Sequence, residues 1–248
     1  MMDLGIKGRT ALITGGSAGL GLGSARALSE AGVRVCLVAR DMEKLQKAVE
    51  IFPDDAVIIN ADLSDRTEVD RMIDNAREEL GHIDIVIANS GGPPPGNFET
   101  TDVEEYPAAI QLNMLSTISM CKAFIPGMRS RGWGRVVAIT SIAVREPIPQ
   151  LILSNTARSG LTAFLKTTAR EVASDGVTVN TVQPGIHATD RISQIYDDLD
   201  GVAVTIPTQK LGDPKDFGQV VAFLCSEQAR SITGASLPVD GGSSHGLQ

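Results

Sequence analysis

Short apolar runs alternate with longer amphipathic stretches along the whole chain. Runs with the length and β-branched content of strands fall at Thr10–Thr14, Val33–Val38, Ala56–Ile59, Ile83–Ala88, Val136–Ile139, Val177–Val182 and Ser236–Val239. Between them, helical patterns cover 20–31, 41–50, 64–80, 102–129, 154–174 and 213–226. Asp41, Ser64, Asp102, Ser154 and Asp213 stand where N-caps are needed, and Pro214 occupies a first-turn position. Strand–helix alternation throughout implies parallel βαβ units wound on both faces of one sheet. No internal linker, low-complexity tract or repeat breaks the pattern. The expected fold is therefore α/β, a single doubly wound domain over 1–248 with a parallel seven-stranded sheet and helices on both faces.

Composition narrows this. With 42% hydrophobic but only 4% aromatic residues, the core must be aliphatic and Ala-rich, which suits helices packed on a parallel sheet. A net charge of −8 argues against a nucleic-acid partner. No apolar run approaches the roughly 20 residues of a membrane span, and Met1 to Thr10 lacks a signal-peptide core. Cys36, Cys121 and Cys225 are odd in number, lie in apolar segments and lack metal-ligand spacing. Reduced thiols of a cytoplasmic protein, with no metal, are the expectation.

In such a sheet, ligands bind beyond the carboxyl ends of the strands where the winding reverses. The first strand runs into Gly15-Gly16-Ser17-Ala18-Gly19-Leu20-Gly21 and then a helix. Glycines at 15, 19 and 21 allow a tight turn and a helix N-terminus aimed at a pyrophosphate, which makes the domain Rossmann-type. Ser17 and Leu20 belong to the same turn. The second strand ends at Val38-Ala39-Arg40, where an NAD site would want a carboxylate for the ribose 2′-hydroxyl. Arg40 instead suits a 2′-phosphate, which favours NADP(H) over NAD(H). Asp62-Leu63, after the third strand, is placed to meet the adenine amino group or, more plainly, to cap the next helix. Asn89, Ser90 and Gly91 close the fourth strand with small residues that let backbone approach a cofactor.

With these motifs in order, the chain resembles the short-chain dehydrogenase/reductase family over nearly its whole length, most closely the 3-oxoacyl-(acyl-carrier-protein) reductase branch. Thr14 to Gly21 reads as the family's TGxxxGxG turn, and Asn89-Ser90-Gly91 as the last three residues of its NNAG motif. Asn113 matches the helix Asn and Ser141 the catalytic Ser. Asn180 with Pro184-Gly185-Ile186-His187-Ala188-Thr189 matches the segment that lies along the nicotinamide, and Val239-Asp240-Gly241-Gly242 the C-terminal VDGG. The resemblance implies a cofactor contacted at Pro184, Gly185, Ile186 and Thr189, and a small carbonyl or alcohol substrate. It also implies a homodimer or homotetramer built on the helices at 102–129 and 154–174.

The pattern breaks at one place. The family's Tyr-x-x-x-Lys falls thirteen residues after the Ser, which lands here on Ser154 and Arg158. The frame is intact, and the only two tyrosines, Tyr106 and Tyr196, fit neither position. A phenol titrates near pKa 10, whereas an alkyl hydroxyl is a far weaker acid, poorly matched to proton transfer at neutral pH. Ser is also about 4 Å shorter in reach, which leaves room for a water. Arg158 keeps a charge and donors for the nicotinamide ribose, but it does not give up a proton.

Three readings follow: an NADP(H) oxidoreductase with an altered acid, an inactive NADP(H)-binding sensor or assembly partner, and a different reaction in which Arg158 clamps a substrate carboxylate or phosphate. The first is preferred because Asn113, Ser141 and the Pro184-Gly185 segment are kept. Its acid is a water held by Ser141, Ser154 and Asn113, or Tyr196 or His187, whose plainer roles are a half-buried lid residue and a surface loop residue. Gly91 to Phe98, stiffened by three prolines, is expected to wall the substrate side. About 187–212, with little periodicity, reads as a lid or a plain surface insertion. The final Ser243 to Gln248 reads as a frayed tail or an interface strap.

Overall fold

The computed structural model describes residues 3–246. Its first half runs β1 (Thr10–Thr14), α1 (Gly19–Glu30), β2 (Arg34–Ala39), α2 (Met42–Val49), β3 (Val57–Asn60), α3 (Arg66–Leu80) and β4 (Ile85–Ala88). The chain continues through α4 (Tyr106–Ile110), α5 (Ser116–Ser130), β5 (Gly134–Ile139), α6 (Ile152–Val172) and β6 (Val177–Pro184). It ends with α7 (Asp190–Ile195), α8 (Leu199–Ala203), α9 (Pro214–Leu224) and β7 (Ser236–Val239). The seven strands form one sheet in the order β3-β2-β1-β4-β5-β6-β7, and every neighbouring pair is parallel. The winding reverses between β1 and β4.

The two faces follow from the period-2 alternation of side chains along each strand. Leu12, Val86 and Val136 point to the layer of α3, α5 and α6, where Met72, Phe124 and Leu165 are buried. Their chain neighbours Ile13, Ile85 and Val137 point to the layer of α1, α2 and α9, where Leu28, Leu45 and Phe217 are buried. Both faces are covered, so the strands read as unbroken apolar runs. All three cysteines are buried and free, and burial pushes each thiol up to about 12.

The helix boundaries bring three corrections. Asp65, not Ser64, caps α3: its carboxylate accepts from the backbone N–H of Thr67 and Glu68 at 2.7 and 3.3 Å, while Ser64 donates its hydroxyl to Asp62. The carboxylate sits one residue closer to the first turn and takes the donors. Ser154 is not a cap either. The helix starts at Ile152, behind an N-cap position at Leu151 without a side-chain bond, and Ser154 lies inside the first turn with its hydroxyl turned to Arg158. Asp41 and Asp213 do cap α2 and α9.

The third correction concerns 102–129. A 3-10 turn at Val103–Glu105 leads into α4, a π-helical turn spans Gln111–Leu115, and α5 follows. The wide turn surrounds Asn113, whose buried side chain bonds out of the helix instead of along it. Such π turns are frequent at functional sites. By length and composition alone the run Val103–Ser130 would pass for a membrane span. Its buried Asn113, Ser116 and Thr117, and the packing of Met120, Phe124 and Met128 under the sheet, make it a core helix instead.

The 187–212 region holds two short helices, α7 and α8, too brief to leave a periodic signal. Of the tail, Ser243 to Gly246 is held by Asp240 and Glu146. Leu247 and Gln248 lie outside the described residues.

Candidate active site

The site is built where the winding reverses. Thr14 at the end of β1 donates its hydroxyl to the Asn89 carbonyl at 2.7 Å and accepts from the Asn89 N–H at 2.9 Å, which locks the carboxyl ends of β1 and β4 together. Asn89 Nδ2 then donates to the Gly15 carbonyl at 3.3 Å. Gly15 and Gly19 sit at φ 59° and 54°, the left-handed region that a side chain disfavours. A Cβ on Gly21 would lie 2.1 Å from the Gly15 carbonyl oxygen. The turn therefore delivers α1 with its N-terminus open: Ala18 makes no capping bond, and no acidic residue stands in the first turn. Free N–H groups and the positive end of the helix dipole face the cleft there.

Two adjoining clefts meet at this turn. The smaller, about 260 Å³, is lined by Ser17, Arg40, Asp62 and Leu63 among others. Arg40 is exposed and makes no ion pair among the described residues, so its guanidinium is available. Hydrogen bonds from the Ser64 hydroxyl and N–H, then the charge of Arg40, hold the Asp62 carboxyl below its ordinary value.

The larger cleft, about 400 Å³, is bordered by Gly15, Gly19, Leu20, Asn89 and Gly91 on one side. Ser141, Ser154, Arg158, Pro184, Gly185 and Thr189 border the other. Residues 141, 154 and 158 thus lie together on one cleft wall. Ser141, at the end of β5, accepts from the Ala143 N–H at 3.1 Å. Arg158 donates from Nε to the Ser154 hydroxyl at 3.2 Å, from Nη1 to the Ile139 carbonyl at 2.9 Å and from Nη2 to the Ser90 carbonyl at 3.2 Å. Burial, then the charge of Arg191, pushes the Arg158 guanidinium down to about 10, so it stays charged at neutral pH.

Three expected contacts do not reach the cleft wall. Asn113 lies beneath it, donating from Nδ2 to Ser90 Oγ at 2.7 Å and to the Gly91 carbonyl at 2.8 Å. Its side chain braces the floor of the cleft, and its Oδ1 is buried without a partner among the described residues. Gly21 is packed behind Gly15, and Ile186 lines neither cleft, its carbonyl accepting from the Gly212 N–H. The Pro-rich segment is tied to the start of α6 by a bridge between Gly96 and Leu151, and Pro93 borders the larger cleft.

The two alternative acids part ways. Tyr196 is 40% exposed at the end of α7 and lines neither cleft, so it stands apart from Ser141, Ser154 and Arg158. His187 is not a surface residue. It is buried on the cleft wall, with Nδ1 3.2 Å from the Gly185 carbonyl and its ring edge-on to Phe217 at 5.1 Å. Burial lowers its pKa, against the smaller opposing pull of the Gly185 carbonyl and Asp213. A histidine depressed in the folded state stabilises above its unfolded pKa and loses that contribution as pH falls. Thermal unfolding between about pH 8 and pH 5 should show a loss of stability on acidification that is shallower in His187→Leu. An unchanged slope in the variant would contradict the assignment.

Arg191 was not singled out from the sequence. It follows Thr189 on α7, donates from Nη1 to the Gly92 carbonyl at 3.3 Å, and borders both clefts. A cation two residues beyond the Pro184–Thr189 segment was the available signal.

Comparison with known proteins agrees with the fold. A family model described as Enoyl-(Acyl carrier protein) reductase matches residues 15–244. Acetoacetyl-CoA reductase of Cupriavidus necator is 33% identical over 239 residues, 94% of this chain and 97% of that protein. The 3-oxoacyl-(acyl-carrier-protein) reductase of Haemophilus influenzae is 32% identical over 241 residues, 96% of this chain and 98% of that protein. The crystal structure of L-sorbose reductase from Gluconobacter frateurii, in complex with NADPH and L-sorbose, superposes with a TM-score of 0.93 at 29% identity, covering 99% of this chain and 100% of that one.

Proposed function

Because the chain belongs to the short-chain dehydrogenase/reductase family, we propose that it transfers hydride between NADP(H) and a small carbonyl or alcohol substrate with a proton donor other than tyrosine. The observation that carries this is the pair of adjoining clefts across the strand-order reversal, with the uncapped α1 N-terminus between them and unpaired Arg40 at the far end. The N–H groups of α1 would hold the pyrophosphate, Arg40 the 2′-phosphate, and the edge of Asp62-Leu63 the adenine. Pro184, Gly185 and Thr189 would flank the nicotinamide. The bound cofactor would supply the hydride.

In the larger cleft, Ser141 and Ser154 would orient the carbonyl oxygen, and Arg158 would stabilise the charge that develops on it. The proton would reach that oxygen from a water held by the two hydroxyls, the space left where a phenol ring would otherwise stand. The segment at 187–212, carrying α7 and α8, would serve as the lid, with His187 as its buried base. We take the protein to work in the cytoplasm, where its three buried thiols stay reduced. Self-association would use the face around Leu115, which is 37% exposed beside a groove lined by Ile118 and Ala123.

Cofactor choice gives the direct test. NADPH is expected to bind more tightly than NADH in calorimetric titration, and Arg40→Asp should weaken NADPH by about 10–100-fold, the loss of one to two charge-assisted bonds plus a like-charge contact. Equal affinity for the two nucleotides in the wild type would refute the NADP(H) assignment.

A further inference from the structure

Arg158 is a buried cation without an anion. The residue is only 7% exposed, and its guanidinium bonds to neutral acceptors alone, the carbonyls of Ile139 and Ser90 and the hydroxyl of Ser154. No ion pair among the described residues includes it. Burying a charge in this way is costly unless it is paired. Of the five N–H donors of a guanidinium, three are used, and the side chain borders the larger cleft.

Arg191 adds to the imbalance. It borders the same cleft, makes no ion pair among the described residues, and repels Arg158 strongly enough to help hold its pKa down. The one carboxylate on the cleft wall, Asp190, is exposed and pairs with neither arginine. Two cations thus border one open space, and no ion pair among the described residues neutralises either of them.

We propose that the larger cleft takes a substrate carrying a carboxylate beside its reactive carbonyl, with the carboxylate held by Arg158 and Arg191. This rests on the hydride-transfer reading above and names the substrate class for it. A planar carboxylate matches the guanidinium fork. The cofactor phosphates have their own donors elsewhere. The open N–H groups of α1 follow β1, whereas Arg158 is bonded at the carboxyl ends of β4 and β5. In the reduction, bound NADPH would supply hydride to the carbonyl carbon, the C=O π pair would move to oxygen, and that oxygen would take a proton from a water whose hydroxide is reprotonated from solvent. NADPH leaves as NADP+ and the carboxylate is unchanged.

The test titrates the NADPH-loaded protein with oxalate and malonate, carboxylates that it cannot reduce. Both are expected to bind, with affinity reduced about tenfold or more in Arg158→Gln and several-fold in Arg191→Met, while NADPH affinity changes less. Arg191 lies on an exposed short helix, so its variant stays informative if Arg158→Gln does not fold. Absent binding in the wild type, or equal binding in wild type and Arg191→Met, overturns the proposal. So does an equal loss of NADPH and carboxylate affinity in the variants, which would make the cofactor the missing anion. The hydride-transfer reading fails separately, by NADPH not binding the wild type, whatever the carboxylates do.

Discussion

Replacing Ser154 with Tyr and Arg158 with Lys together is expected to raise NADPH-dependent turnover of simple ketones by about 10²–10⁴-fold, the usual contribution of a positioned general acid. Ser154 lies on the wall of the cleft of about 400 Å³, so a longer side chain there has open volume to enter. The hydroxyl of a Tyr there would titrate from an ordinary value near 10, and a Lys four residues on, one helical turn away, would lower it toward neutrality. The wild-type pair has the opposite bias. Its hydroxyl is bonded by the Arg158 Nε at 3.2 Å and is no practical acid. Initial rates on a panel of neutral ketones, for the wild type, both single variants and the double variant, check this. The double variant should exceed the sum of the single gains, because neither residue completes the acid alone. A folded, NADPH-binding double variant with no gain would mean that the missing phenol is not what limits ketone reduction.

Gly21→Ala is expected to weaken NADPH binding by about 100-fold or more and to lower the melting temperature. The added Cβ would meet the Gly15 carbonyl oxygen at 2.1 Å and the Asn89 side-chain nitrogen at 2.8 Å. The first contact is with backbone, so no rotamer change relieves it. Either α1 moves away from β1 or the glycine turn opens, and both displace the N–H groups proposed to hold the pyrophosphate. A loss of about 3 kcal/mol in binding corresponds to that factor. Overpacking of this kind costs about 1–3 kcal/mol of stability, and at this chain length each kcal/mol lowers Tm by about 2–4 °C. Calorimetry and thermal unfolding measure both. Unaltered NADPH affinity would show that the turn does not hold the phosphates.

The strand and helix pattern was legible because both sheet faces are buried and both patterns run unbroken. Leu12 and Ile13 enter opposite layers, yet each is apolar, so β1 shows as a continuous run. The glycine turn was legible for a related reason, since the left-handed backbone at positions 15 and 19 favours glycine. Capping was less so. Ser64 and Asp65 are adjacent candidates, and only the register of the helix decides between a hydroxyl and a carboxylate one residue on. The π turn at Gln111–Leu115 was not legible either, since it arises from Asn113 bonding to Ser90 and Gly91 across the fold.

The substitution at 154 and 158 was a sequence fact, while its consequence was tertiary. Counting from Ser141 lands on Ser154 and Arg158 without any structure. That Arg158 is buried on carbonyls at the ends of β4 and β5, that Arg191 arrives beside it from α7, and that no acid among the described residues pairs with either, depends on segments up to 68 residues apart in the chain. His187 moved from an apparent loop position to a buried wall for the same reason, through its packing on Phe217 from α9. Local periodicity and backbone stereochemistry are written residue by residue, so the sequence alone determined the sheet, its layers and the glycine turn after β1. Burial and charge balance belong to the space where distant segments meet, and only the tertiary structure decided them.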